Sequence, residues 1–141
     1  PEERGGNDVL NAGGLMRSEK IILIADRNPH VRSFLAREMK GEGFRIRLAR
    51  DCGEVLKWVY GSGPIDLIIL DPDLPDDGQC ILPKLYDRIP SVPVVVHSWS
   101  SDYADSPDEA NGVTFVKKEG NSIEGLKKAV YDLLGKRKTS R

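Results

Sequence analysis

The sequence predicts an α/β protein with a doubly wound, five-stranded parallel sheet, on three observations. Five short apolar runs are separated by stretches with helical spacing. Most of those runs are continuously apolar rather than alternating, as strands buried on both faces are. Glycine and proline clusters mark the joins. Strands and helices that alternate in this way build right-handed crossovers onto one sheet covered on both sides.

The elements follow in order. Residues 1–17 are rich in glycine and polar groups without periodicity, which reads as a flexible leader with little to bury. Ile21 to Ala25 is the first strand. Asn28-Pro29 then supplies a cap and a first-turn proline, and Val31, Phe34, Leu35 and Met39 recur at helical spacing until Gly41 and Gly43. Phe44, Ile46 and Leu48 alternate with Arg45, Arg47 and Ala49, the pattern of an edge strand. Asp51 and Glu54 form a capping box for a helix through Val55, Leu56, Val59 and Tyr60, in which Trp58 and Tyr60 read as packing residues. Ile65 to Leu70 is the third strand, Gln79 to Tyr86 a helix weakened by Pro83, Val92 to His97 the fourth strand and Val113 to Lys117 the fifth. Ile123, Leu126, Val130, Leu133 and Leu134 mark a closing helix ended by Gly135, after which 136–141 is a basic tail. One domain, 18–135, accounts for the patterned chain.

Composition excludes several classes. At 141 residues with a formal net charge of -1, the chain has no basic excess with which to neutralise phosphates, so no nucleic-acid contact is expected through this domain. Cys52 and Cys80 make neither a metal spacing nor a disulfide framework, and reduced thiols fit a cytoplasmic location. The apolar runs are far too short for a membrane span.

In open α/β sheets, function sits at the carboxyl ends of the strands, near the point where strand order reverses. Asp71 closes the apolar run Leu67 to Leu70, and a carboxylate at the mouth of a buried strand is costly unless a cation, a proton or a chemical role compensates. With the order 2-1-3-4-5, Asp26 and Asp71 end neighbouring strands, and the later strands deliver His97-Ser98 and Lys117-Lys118 to the same rim. His97 itself reads as a strand residue facing a helix, and His30 as an ordinary helix residue, because no second His or Cys stands at ligand spacing.

At these residues the chain resembles the response-regulator receiver domain of two-component signalling, over essentially all of Ile21 to Leu134. The resemblance implies a flavodoxin-like sheet and a phospho-accepting module rather than an enzyme. ILDPDLPDDG is similar to the phospho-acceptor segment, placing the acceptor at Asp71 and a residue that lends a backbone carbonyl to magnesium at Asp73. VVVHS places the conserved hydroxyl at Ser98; GVTFVKK places the aromatic switch residue at Phe115 and the invariant lysine at Lys118. Asp26 completes the implied metal set with Asp71 and Asp73. The implied partners are a histidine kinase or phosphotransfer protein and a downstream protein partner or attached output domain, in the cytoplasm and without a membrane contact.

Three positions depart from that pattern. The family's second acid after the first strand is Arg27 here, which weakens the implied magnesium site by putting a cation where an anionic ligand is needed. Trp99 replaces a small residue and is expected to narrow access. Glu119 stands where a proline is usual. The stretch Ser100 to Asn111 has few apolar residues, so the fourth helix is expected to be a stub. Two other readings fit parts of the pattern. A pseudo-receiver would keep the fold and lay Arg27 against Asp71 without phosphate. A phosphatase of the haloacid-dehalogenase type would use Asp71-Pro72-Asp73 as its D-x-D, although that family carries the motif on its first strand and two strands precede it here.

Overall fold

The computed structural model describes residues 9–10, 16–17, 19–61, 63–75, 84–85, 92–99 and 113–135. Five parallel strands form its sheet: β3 (Ile21–Ala25), β4 (Arg45–Ala49), β5 (Leu67–Leu70), β6 (Val94–Ser98) and β7 (Val113–Lys117). They lie in the order β4-β3-β5-β6-β7, which is 2-1-3-4-5 when only the sheet's own strands are counted, as expected. The order reverses between β3 and β5, so the ends of these two strands frame the crevice.

The period-two alternation of β3 and β5 sends side chains into two cores. Leu23, Ala25, Ile68 and Leu70 pack toward α2 (Cys52–Val59), whose Cys52, Val55 and Val59 are buried against them. Ile22, Ile24, Leu67 and Ile69 pack toward α1 (Pro29–Gly41) and α3 (Ser122–Leu134), through Leu35, Met39, Leu126 and Val130. Because both faces are covered, β3, β5 and β6 are buried along their whole length, which is why their sequences run apolar without alternation. Lys127 of α3 ties the two helices of one face together, with Nζ 3.0 Å from Glu38 and 3.2 Å from Glu42.

Local signals set the helix ends. The Asn28 side chain accepts the N–H groups of His30 and Val31, and Pro29 occupies the first turn. At the start of α2, Asp51 accepts the Glu54 N–H at 2.9 Å. The return bond of the capping box goes one residue further back than its usual target, to the Arg50 N–H at 2.7 Å, and Glu54 also pairs with the Arg50 guanidinium. Gly43 at φ +97° and Gly135 at φ +69° hold the left-handed conformations that release α1 and α3.

Several expectations are corrected. Phe34, placed on the apolar stripe of α1, is 39% exposed with the Arg37 guanidinium over its ring, and Ala36 is buried. Leu48 is 43% exposed whereas Ala49 is wholly buried, because on this edge strand the described residues leave Leu48 largely uncovered near the strand end while Ala49 packs into the core on the α2 side. Tyr60 is an exposed helix terminus whose hydroxyl donates to the Lys84 carbonyl; Trp58 does pack, and its indole N–H donates to the Leu48 carbonyl. The third strand begins at Leu67 rather than Ile65, because the Asp66 carboxylate accepts the Ile21 N–H at 2.7 Å. The fourth begins after Pro93, which has no N–H for the ladder, and runs on through Ser98. Within the expected leader, β1 (Val9–Leu10) pairs antiparallel with β2 (Met16–Arg17), a short ladder in a glycine-rich stretch. The expected helix Gln79 to Tyr86 lies outside the described residues except for the helical Lys84 and Leu85, and so do the stub at Ser100 to Asn111, Cys80 and the tail 136–141. No helix among the described residues is long and apolar enough to cross a membrane.

Candidate functional site

Each residue of the rim sits at or one place beyond a strand end and is held there by a ladder bond. Asp26 donates its N–H to the Ala49 carbonyl at 3.2 Å, Asp71 to Ala25 at 2.8 Å, and Lys118 to Ser98 at 2.8 Å. The ladder thus fixes these backbones while turning the side chains out of the hydrophobic layers. Asp26, Asp71, Ser98 and Lys118 are nonetheless buried, which for three charged groups demands mutual compensation.

Lys118 provides it. Its Nζ lies 3.0 Å from Asp26 Oδ2 and 3.9 Å from Asp71 Oδ2. The remaining carboxylate oxygens take backbone donors: Asp26 Oδ1 accepts the Asn28 N–H at 2.9 Å, and Asp71 Oδ1 accepts the Asp73 N–H at 2.9 Å. Asp71 Oδ2 also accepts the Arg27 N–H at 3.3 Å. From the outer side the Arg27 guanidinium covers two acids, with Nε 3.7 Å from Asp71 Oδ2 and Nη2 3.9 Å from Asp73 Oδ2. Burial pushes the Asp26 carboxyl above the usual carboxylate range, against the opposing Asn28 N–H and Lys118 ammonium. Burial likewise pushes His97 down to about 4, assisted by the Lys118 charge and opposed by Asp71.

Asp26, Asp71 and Lys118 are therefore brought together as the strand order implied, and Asp73 stands at the outer edge through Arg27. Phe115 lies opposite Val96 in the ladder and packs half-buried on the α2 side. His97 faces α3, its Nε2 3.2 Å from Ser122 Oγ. Trp99, expected to narrow access, is largely exposed. Two contributors left no motif in the sequence. Arg32 of α1 reaches back past the helix start to donate to the Asp26 carbonyl at 2.7 Å, and the Asn28 backbone orients the Asp26 carboxylate.

The expected magnesium set draws on the Asp26 and Asp71 carboxylates with the Asp73 backbone carbonyl, and both carboxylates are already engaged here. Among the described residues no group of three His, Cys, Asp or Glu side chains is placed to hold a metal. Every oxygen of Asp26 and Asp71 already faces an ammonium, a guanidinium or a backbone N–H. The Arg27 guanidinium faces Asp71 and Asp73 from the outer side, so a cation held by Asp71 would meet like charge there.

The family model of the response regulator receiver domain matches residues 22–131, and the chain belongs to that family. It is a receiver module of the two-component type. It is 29% identical over 100 residues to the DNA-binding transcriptional regulator NtrC of Bradyrhizobium sp. (strain RP501 Parasponia), an alignment that covers 69% of this chain and 21% of the relative. It is 26% identical over 136 residues to an NtrX-like response regulator of Rickettsia felis, covering 84% of this chain and 28% of the relative. The chain thus spans less than a third of the length of these curated relatives. Among solved structures it resembles the response regulator TrrA of Thermotoga maritima, a complex with magnesium and BeF, at a TM-score of 0.72 and 29% identity, over 81% of this chain and 98% of that one. A two-component response regulator from Clostridium difficile matches at a TM-score of 0.72 and 26% identity, over 84% of this chain and 98% of that one.

Proposed function

We propose that Asp71 is the phospho-acceptor of this receiver, taking a phosphoryl group from a histidine kinase or phosphotransfer protein and holding it as an acyl phosphate. The observation that carries this reading is the placement of Lys118, whose ammonium stands 3.9 Å from Asp71 Oδ2 in a buried rim. Attack by a carboxylate on a phosphoryl group brings two anions together, and a fixed cation in a low-dielectric site screens that repulsion without reorganising. Asp26 positions the amine through its 3.0 Å pair.

In this reading Ser98, at the end of β6, donates its hydroxyl to a phosphoryl oxygen, and Phe115 on the adjacent strand turns inward in response. That couples a local change of charge to a surface with two states. The outcome is passed to a downstream protein partner or an attached output domain by contact, within the cytoplasm, with no catalytic output of the domain's own. Residues 18–135 are the module that does this.

Incubation with acetyl phosphate followed by intact-mass measurement tests the reading. One added phosphoryl mass is expected in the wild type and none in Asp71→Asn. Phosphate appearing on Asp71→Asn, or on neither protein, would overturn the assignment.

A further inference from the structure

The rim carries a cation of its own beside Asp71, and we infer that Arg27 does a divalent ion's work, so that phosphoryl transfer to Asp71 proceeds without a metal. The inference rests on Asp71 being the acceptor. Three observations support it. Arg27 faces both outer acids at once, Asp71 through Nε and Asp73 through Nη2. Its distances of 3.7 and 3.9 Å are too long for hydrogen bonds, so both N–H groups remain available to an incoming acceptor. Its side chain is 54% exposed, which leaves it free to follow an oxygen that enters the rim.

The charge balance agrees. Asp26, Asp71 and Asp73 are faced by Lys118 and Arg27, leaving one net negative charge on the cluster. A carboxylate at position 27 holding a magnesium ion would contribute the same single positive charge that Arg27 contributes alone. A guanidinium also has the geometry for the task, because its planar fork binds two oxygens of a phosphoryl group at once. A dication added at Asp71 would stand against the Arg27 guanidinium, like charge against like charge.

The step balances with an acyl phosphate as donor. An Asp71 carboxylate oxygen forms a bond to phosphorus as the bond from phosphorus to the donor's bridging oxygen breaks. The electron pair leaves with that oxygen, and the donor departs as its carboxylate. No proton is consumed or released. Lys118 and Arg27, which both face Asp71 Oδ2, then face the phosphoryl oxygens.

The test compares phosphorylation of the wild type by acetyl phosphate, read by intact mass, in excess EDTA and in millimolar magnesium. The rate in EDTA is expected to fall by less than about threefold, and a larger fall would overturn the inference. Arg27→Gln keeps a polar side chain at this half-exposed position and is expected to slow the metal-free reaction by about tenfold or more. An unchanged metal-free rate in that variant, with its melting temperature preserved, would also overturn it. Absence of phosphate under both conditions would remove Asp71 as acceptor and this inference with it. Phosphate seen only with magnesium would remove this inference alone.

Discussion

Lys118 is closer to Asp26 than to Asp71, with Nζ at 3.0 and 3.9 Å from the respective Oδ2 atoms, and all three side chains are nearly inaccessible to water. The lysine is therefore first a counterion that makes a pair of buried carboxylates tolerable, and second a group aimed at the reacting oxygen. Its position comes from the ladder bond between its N–H and the Ser98 carbonyl, so the end of β6 and the charge state of the rim are mechanically joined.

Lys118→Met should accordingly destabilise the fold by about 3–5 kcal/mol near neutral pH, since two buried acids lose their cation. The deficit should narrow in acid. The Asp26 carboxyl is already raised by burial, and a raised acid favours the folded state once it is protonated, an advantage lost as pH rises through its folded value. Urea titrations at about pH 7 and about pH 5 measure both effects. A deficit that stays constant between them would mean that the carboxylates are not the source of the cost.

Arg27→Asp should convert the rim into a metal centre. The substitution removes the guanidinium facing Asp71 and Asp73 and adds an oxygen donor beside Asp26, giving the hard, anionic ligand set that magnesium requires. Calorimetric titration with magnesium should show saturable binding in the variant and none in the wild type over the same millimolar range. The same variant should melt at a higher temperature when magnesium is present, by mass action on the folded state.

Much of this rim was legible before any coordinates. Asp71 announced itself because an apolar run that ends in a carboxylate has to be explained, and sheet order placed Asp26 beside it. Both rest on strand ends, which hydropathy locates well in a sheet covered on both faces. What hydropathy could not show is who neutralises whom. The Lys118 preference for Asp26, the reach of Arg32 and the capture of the Asp26 carboxylate by the Asn28 N–H depend on distances of a few ångströms between separate loops. Leu48 and Phe34 misled for a related reason: an apolar side chain at a helix edge or strand end keeps its hydropathy whether or not a neighbour covers it.

Asn28→Ala should cost about 1 kcal/mol, because the Asn28 side chain satisfies two otherwise orphaned donors at the start of α1, those of His30 and Val31. Asn28→Asp should recover most of the loss, as aspartate accepts the same bonds and its charge suits a helix N-terminus. The Asn28 backbone N–H that holds Asp26 is common to all three proteins, so the effect isolates the cap. Urea unfolding midpoints of the three would decide it; a loss of several kcal/mol in Asn28→Ala would point to a disturbed rim instead.

His97 should make the protein less stable as pH falls below neutrality. The ring is buried at the end of β6, its Nε2 against Ser122 Oγ, and Nδ1 has no hydrogen-bond partner among the described residues, so a second proton would be poorly served. Burial, with the Lys118 charge adding to it, lowers the folded value to about 4 from 6.5, whereas the unfolded ring titrates near the usual value. Between these limits the unfolded chain binds a proton that the folded chain refuses, and stability therefore drops as pH drops. The full interval corresponds to roughly 3 kcal/mol, of which about 1 kcal/mol should be lost between pH 7 and 5.5. Protonation of Asp26, whose folded carboxyl is raised by burial, acts in the opposite sense in both proteins. In His97→Leu the His97 contribution disappears. The fall in unfolding free energy between about pH 7 and 5.5 should then shrink by about 1 kcal/mol relative to the wild type. Equal slopes for the two proteins would show that the folded ring accepts a proton near its ordinary value, and with it that the interior at the end of β6 is far wetter than its packing implies.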